Sequence, residues 1–149
     1  MEMRVLIRCF PVLLVLMGSC SDTNSVESGD IQDSMQAKNL NRIEKETGLD
    51  FPDESKLIHF LEPDIVVDPV WVAKVIIPAS SFEGFKEVVL RKPTDNSGYS
   101  GALADSITWW KPKTVIMKKQ YLADRHTLVD IVLSKEGDDF AVYIECAVF

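Results

Sequence analysis

No stretch of this 149-residue chain holds the ~20 consecutive apolar residues that a bilayer-spanning helix needs. Histidine is scarce: His59 and His126 are the only two. A His-based mechanism needs its imidazole oriented by a carboxylate and set beside a nucleophile or metal. His59 alternates with leucines in a candidate strand and His126 sits in a polar turn, so neither reads as catalytic. With cysteines only at positions 9, 20 and 146, no zinc spacing exists. Basic residues are in deficit, 16 Lys and Arg against 23 Asp and Glu, for a formal charge of −7. That balance argues against nucleic acid, whose phosphates demand Lys and Arg, and against holding anionic lipid by charge. It suits a basic protein partner, and equally plain solubility. Glu62, Asp64 and Asp68 share one stretch and Asp138 and Asp139 another, without the patterned acids of a calcium loop. We expect no cofactor and see no internal repeat.

What is present begins at the N-terminus. Arg4 and Arg8 precede an apolar run, which ends in Gly18-Ser19-Cys20. Basic start, apolar middle and small residues at the cut are the layout of a secretory signal. Leu16-Met17-Gly18-Ser19-Cys20 resembles the lipobox of bacterial lipoproteins, with Met17 where that family favours Leu. The resemblance covers residues 1–20 alone and implies a lipid-carrying Cys20 at a new N-terminus. A plain secretory signal with an incidental cysteine is the competing interpretation. Several acyl chains hold firmly where one holds weakly, at ~0.8 kcal/mol per buried CH₂. The resemblance further implies, by that family's sorting logic in enteric-type bacteria, that Ser21 rather than Asp at the second mature position sends the protein to the outer membrane, facing the periplasm. Loss of Arg4, Arg8 and Glu2 leaves the mature chain more acidic still. Cys146 is then the sole free thiol, without a disulfide partner, and in an oxidising envelope it should be buried.

The chain divides into a signal peptide over 1–19, a lipidated cysteine with a flexible acidic tether over 20–38, and one domain over 39–149. The tether reading rests on polar, acidic composition that cannot bury enough surface to offset ordering. A short helix is expected from Asn39 to Thr47, with Leu40 and Ile43 on one face and Gly48 as its cap. Leu49 and Phe51 should pack down in the turn that follows. Lys56–Glu62 is a candidate strand with Leu57, His59 and Leu61 on one side and Ile58 and Phe60 on the other. Pro63 to Pro69 connects it to a second strand, Val70–Ile77. Ser80 and Glu83 fit a capping box for a helix over Ser81–Arg91, whose Phe82, Phe85, Val88 and Val89 form one apolar stripe. Residues 93–112 read as a long loop, with a helical turn near 102–107. Strands follow over 114–122, 127–133 and 140–149, joined as an antiparallel meander. Phe140, Val142, Ile144, Cys146 and Val148 form an apolar side of the last strand. Its other side is mixed, which fits a sheet packed on one face. The fold class is α+β: about five mainly antiparallel strands, one helix packed on a face and a short N-terminal helix.

Gly98-Tyr99-Ser100-Gly101 falls one residue short of a Gly-x-Ser-x-Gly elbow and follows no strand, so it reads as a turn. Trp109-Trp110-Lys111-Pro112 carries more. Two tryptophans with Tyr99 and Lys111 make a candidate partner-binding anchor. The plainer account has both rings capping the open end of the sheet core. The function expected is a non-catalytic binding or structural module, anchored in the bacterial cell envelope and contacting an envelope protein. An acidic inhibitor or immunity protein against a basic envelope enzyme or toxin is the alternative.

Overall fold

The computed structural model describes residues 28–64, 69–95 and 103–149. Cys20, the beginning of the expected tether, most of the Pro63–Pro69 connection and the Gly98–Gly101 turn with Tyr99 lie outside the described residues. The elements run α1 (Ser28–Thr47), β1 (Lys56–Leu61), β2 (Val70–Ile77), α2 (Ala79–Arg91), a 3-10 turn (Ala104–Ser106), β3 (Thr114–Leu122), β4 (Thr127–Glu136) and β5 (Asp139–Val148). The strands form one antiparallel sheet in the order β1-β2-β5-β4-β3, which places the last strand at its centre. This is the expected α+β architecture. No described helix is long and apolar enough to cross a membrane.

Both helices lie on one face of the sheet. Their Ile43, Phe82, Phe85 and Val89 meet the alternate side chains Trp71, Val75, Ile77, Ile131, Leu133, Val142, Ile144 and Cys146. The α2 stripe follows its i, i+3, i+7 spacing, with Phe82 stacked on Phe140 at 3.7 Å between ring centroids and Phe85 on Phe51 at 5.1 Å. Leu49 and Phe51 are buried, as the turn composition suggests. Cys146 is free and buried, and burial pushes its thiol up to about 12, so it stays protonated and unreactive.

The end of α1 is fixed by a set of hydrogen bonds. Gly48 takes φ +64°, the left-handed cap, and its amide donates to the Glu44 carbonyl at 2.8 Å. The Thr47 hydroxyl donates to the Ile43 carbonyl at 2.6 Å, and the Tyr121 hydroxyl donates to the Thr47 carbonyl at 2.8 Å. These bonds tie the helix end to β3 across the core.

Four expectations are corrected. The first helix starts at Ser28 rather than Asn39, so residues 28–38 are helix and not a flexible tether. Nucleation is the costly step of helix formation. Once Leu40, Ile43 and Thr47 dock, extension backwards through Gln36, Ala37 and Lys38 is inexpensive, and composition alone does not reveal that. The exposed Asp33, Ser34, Met35, Ala37 and Lys38 leave this half of α1 in solvent.

The second correction concerns β1. A bulge between Leu57 and His59 shifts the register, so Leu57 opposes Val75 and Phe60 opposes Ala73 on the helix side. His59 and Leu61 turn to the other side, opposite Lys74 and Val72. One extra residue reverses the parity of everything after it.

The third is the capping box. The α2 N-cap is Pro78, no side chain caps it, and the Ser81 amide donates to the Pro78 carbonyl at 3.0 Å. Starting at Ala79 puts Ser80 inside the first turn, where its hydroxyl is no cap. Glu83 instead accepts from Lys86 at 2.8 Å.

The fourth is that the sheet is not packed on one face only. On the side away from the helices, Val72, Leu128, Ser134, Ala141, Tyr143, Glu145 and Ala147 are also buried. Residues 103–110 reach over the central strand there, holding Glu145 through backbone amides and Tyr143 through the Trp110 ring.

Candidate partner-binding face

The second face of the sheet gathers the polar and aromatic side chains that could act. Its roof is a run of tight turns. The Ile107 amide donates to the Ala104 carbonyl at 3.2 Å, Trp110 to Ile107 at 3.2 Å and Lys111 to Trp109 at 2.9 Å. This coiling turns the two neighbouring indoles onto different supports. Trp109 stacks on His59 of the edge strand at 4.8 Å and 19°. Trp110 meets the Tyr143 ring edge-on at 5.3 Å, and the indoles lie 6.1 Å apart. Both are half-buried, while Lys111 is exposed beside them. Of the four expected anchor residues, Trp109, Trp110 and Lys111 are adjacent here, and Tyr99 lies outside the described residues.

Beneath the indoles sits a polar group that no sequence pattern singles out. The Lys74 ammonium lies 2.7 Å from the Glu136 carboxylate and 5.0 Å from the Tyr143 ring centroid. The Tyr143 hydroxyl donates to the other Glu136 oxygen. Burial pushes Glu136 up, but the Lys74 and Tyr143 hydrogen bonds outweigh it and hold the carboxyl below its usual value. Burial, with Glu136 adding to it, pushes Tyr143 well above the usual phenol range, so the hydroxyl stays a donor.

A pair of acids lies further along. Asp130 and Glu145 stand directly opposite on β4 and β5. The Glu145 carboxylate accepts from the Ala104 amide at 3.2 Å and the Leu103 amide at 3.4 Å, which fastens the roof. Gln120 donates to Asp130 at 2.8 Å. Burial raises both carboxyls above their usual values; Asp130 and Asp105 push Glu145 further, against the two amides. A cavity of about 670 Å³ opens over these acids, lined also by Trp110 and Lys118. Its walls include Asp95 and Ala104, on either side of residues 96–102, which lie outside the described residues.

The pair gives a pH prediction. A carboxyl raised on folding contributes stability that is complete below its unfolded value, about 4, and is lost as pH rises through the folded value. The two roof amides donate to different oxygens of Glu145, so Glu145→Gln keeps an acceptor for one of them and removes the ionisation. We expect wild-type melting temperature to carry a downward component from about pH 4 towards neutrality, and the variant to keep only the part that Asp130 contributes. Superimposable profiles from pH 4 to 8 would show that Glu145 does not titrate in this window.

His59 joins the face without a signal of its own, since only the β1 bulge brings it under Trp109. Asp130 and Glu145 leave a weak signal, each being an acid with apolar residues on both sides within its strand. Among the described residues, no group of three His, Cys, Asp or Glu side chains is placed to hold a metal ion. Comparison with protein-family models, with curated proteins and with solved structures finds no match to this chain.

Proposed function

We propose that this chain is a bacterial envelope lipoprotein, held by lipid on Cys20 and facing the periplasm from the outer membrane, whose domain works by binding rather than by chemistry. The reading takes its anchor from the apolar run ending in Gly18-Ser19-Cys20. It takes its binding surface from the Trp109–His59 stack. A large aromatic ring held on an edge strand, half-exposed and beside the exposed Lys111, has the character of an interface anchor. The partner is another envelope protein. The acidic inhibitor reading is favoured by a separate observation, a groove rimmed by exposed carboxylates beside α2.

The test uses the detergent-solubilised full-length protein. Cys20→Ser should abolish incorporation of labelled palmitate and release the protein from the membrane fraction. Trp109→Ala should weaken capture of the envelope partner by about 30-fold, the effect of losing a ~2 kcal/mol hot spot, with little change in stability. Trp110→Ala, which uncovers the buried Tyr143, should cost more stability. If both substitutions lower stability and neither affects capture, the rings are only a roof and the binding face lies elsewhere.

A further inference from the structure

Between Asp105 and Asp124 the chain holds four lysines and no acid, although acids outnumber bases over its whole length. That stretch carries β3, an edge strand with β4 on one side only. Lys111, Lys113 and Lys118 are exposed, and none has an ion-pair partner among the described residues. Lys113 also acts on Glu136 at longer range. Lys119 turns to the helix side, where its ammonium donates to the Leu90 carbonyl at 2.7 Å. Val115 and Ile116, between Lys113 and Lys118, are 45% and 41% exposed.

The backbone of this edge is open over its first half. Alternate residues of an antiparallel strand aim their amide and carbonyl at opposite neighbours. The Gln120 carbonyl accepts from the Asp95 amide at 2.9 Å, so Gln120 faces outward. The register is unbroken from Met117 to Leu122, so Lys118, two residues earlier, faces outward as well. From Thr114 to Lys118 no backbone partner from the described residues lies on that side. Such an edge is a template for another strand. It also adjoins the roof, because Trp110 lines the same hollow as Met117 and Lys118. The acids of that hollow, Asp95 and Asp130, stand at the level of Gln120, where Asp95 already covers the edge. They confine a negatively charged segment to residues 114–118.

We propose that the outer edge of β3 from Thr114 to Lys118 is a docking site for an acidic, extended segment of the envelope partner, which adds to the sheet as a further strand and sets its carboxylates against Lys111 and Lys118. Backbone pairing supplies the affinity and the lysines select the partner. The same charges repel β3 of a second copy, since lysine would face lysine across the ladder. This rests on the reading of the domain as a binding module and gives its partner a chemistry.

The test titrates the detergent-solubilised full chain with an acetylated, amidated heptapeptide alternating valine and glutamate. One twin peptide carries lysine in place of glutamate. A second is N-methylated on every residue, which keeps the charges and blocks strand pairing. The parent peptide is expected to bind saturably, to slow hydrogen exchange over residues 114–119 and to weaken by about 10-fold between 50 and 300 mM salt. Both twins should bind at least 10-fold more weakly. Lys111→Glu/Lys118→Glu should abolish binding and Lys118→Gln should weaken it by about 3-fold. Melting temperature should be unchanged in both variants, since both side chains stand in solvent. Equal affinity for the parent and its N-methylated twin, or undiminished binding to the double variant, would leave the lysines as guards of the edge and overturn the proposal, as would no binding at all. Trp109 stacks on His59 of the opposite edge strand. Trp109→Ala should therefore leave peptide binding unchanged while weakening envelope capture, so either surface can fail without the other.

Discussion

Trp71→Ala is expected to lower the unfolding free energy by about 3–5 kcal/mol, as large-to-small changes of core aromatics do. Trp71 is fully buried in β2, next to the central strand, with its ring tilted against Phe60 at 5.6 Å. Its indole also donates to Glu46 at 2.5 Å. The other Glu46 oxygen accepts from Arg42 at 2.8 Å, and Arg42 forks onto both oxygens of Glu62 at 2.6 and 2.7 Å. The hydrogen bonds of Glu62 and Glu46 raise the Arg42 guanidinium above an already high value, so it stays charged throughout. Trp71 is therefore the point at which α1 is held to the sheet by packing and polar contact together. Trp71→Phe keeps most of the volume and loses the donor, so we expect about 1–2 kcal/mol. Domains of this size have about 5–15 kcal/mol in total, so the alanine variant should be near its folding limit at 37 °C. Urea denaturation measures both. A loss under 1 kcal/mol for the alanine variant would mean that the ring is not core and that α1 is held by its other contacts, Ile43 and Leu40 in the core and the Thr47–Tyr121 hydrogen bond.

Lys74→Met should be the most damaging change on the second face. It leaves the Glu136 carboxylate, whose side chain is 11% exposed, with only the Tyr143 hydroxyl. Stranding one partner of a buried ion pair costs about 3 kcal/mol or more, because the remaining charge loses its compensation and keeps its desolvation. The pH dependence carries the sign. In the wild type Glu136 is held below its usual value, so its contribution is present above the unfolded value, about 4, and lost as pH falls through the folded one. Without Lys74 the carboxyl should rise instead, and the penalty of the variant should shrink as pH falls towards 4 and Glu136 takes up a proton. The double variant Lys74→Met/Glu136→Leu should recover much of the loss, since an apolar pair has no stranded charge. A penalty independent of pH, with no recovery in the double variant, would assign the effect to lost packing of the lysine stem.

The candidate site is partly legible in the sequence. The Trp109-Trp110-Lys111 run stands out as two neighbouring aromatic residues beside a cation in a loop, and those three residues are neighbours at one surface. Their supports are not visible there. Tyr143 lies on the mixed side of β5, and His59 reaches Trp109 only because β1 carries an extra residue. Asp130 and Glu145 leave only the weak signal of an acid among apolar strand residues, and nothing short-range says that they face one another.

Short-range patterns determined the elements. The i, i+3, i+7 stripe of α2, the β-branched run of β2 and the polar hinges between the last three strands set their positions and their antiparallel order, although α2 starts two residues earlier than its pattern suggests, at Ala79, and β4 runs three residues further, to Glu136. Gly48 marked the end of α1, because a left-handed cap is a property of one residue. Tertiary structure decided whatever depends on a partner across the sheet. It set the register after the β1 bulge, extended α1 back to Ser28 once its second half had docked, and covered a face that composition left open. It also placed the carboxylate pair under the roof. The physical reason is the same in each case. A helix or strand repeats locally and writes its period into neighbouring residues, whereas register, docking and burial of charge are set by contacts between segments far apart in the chain.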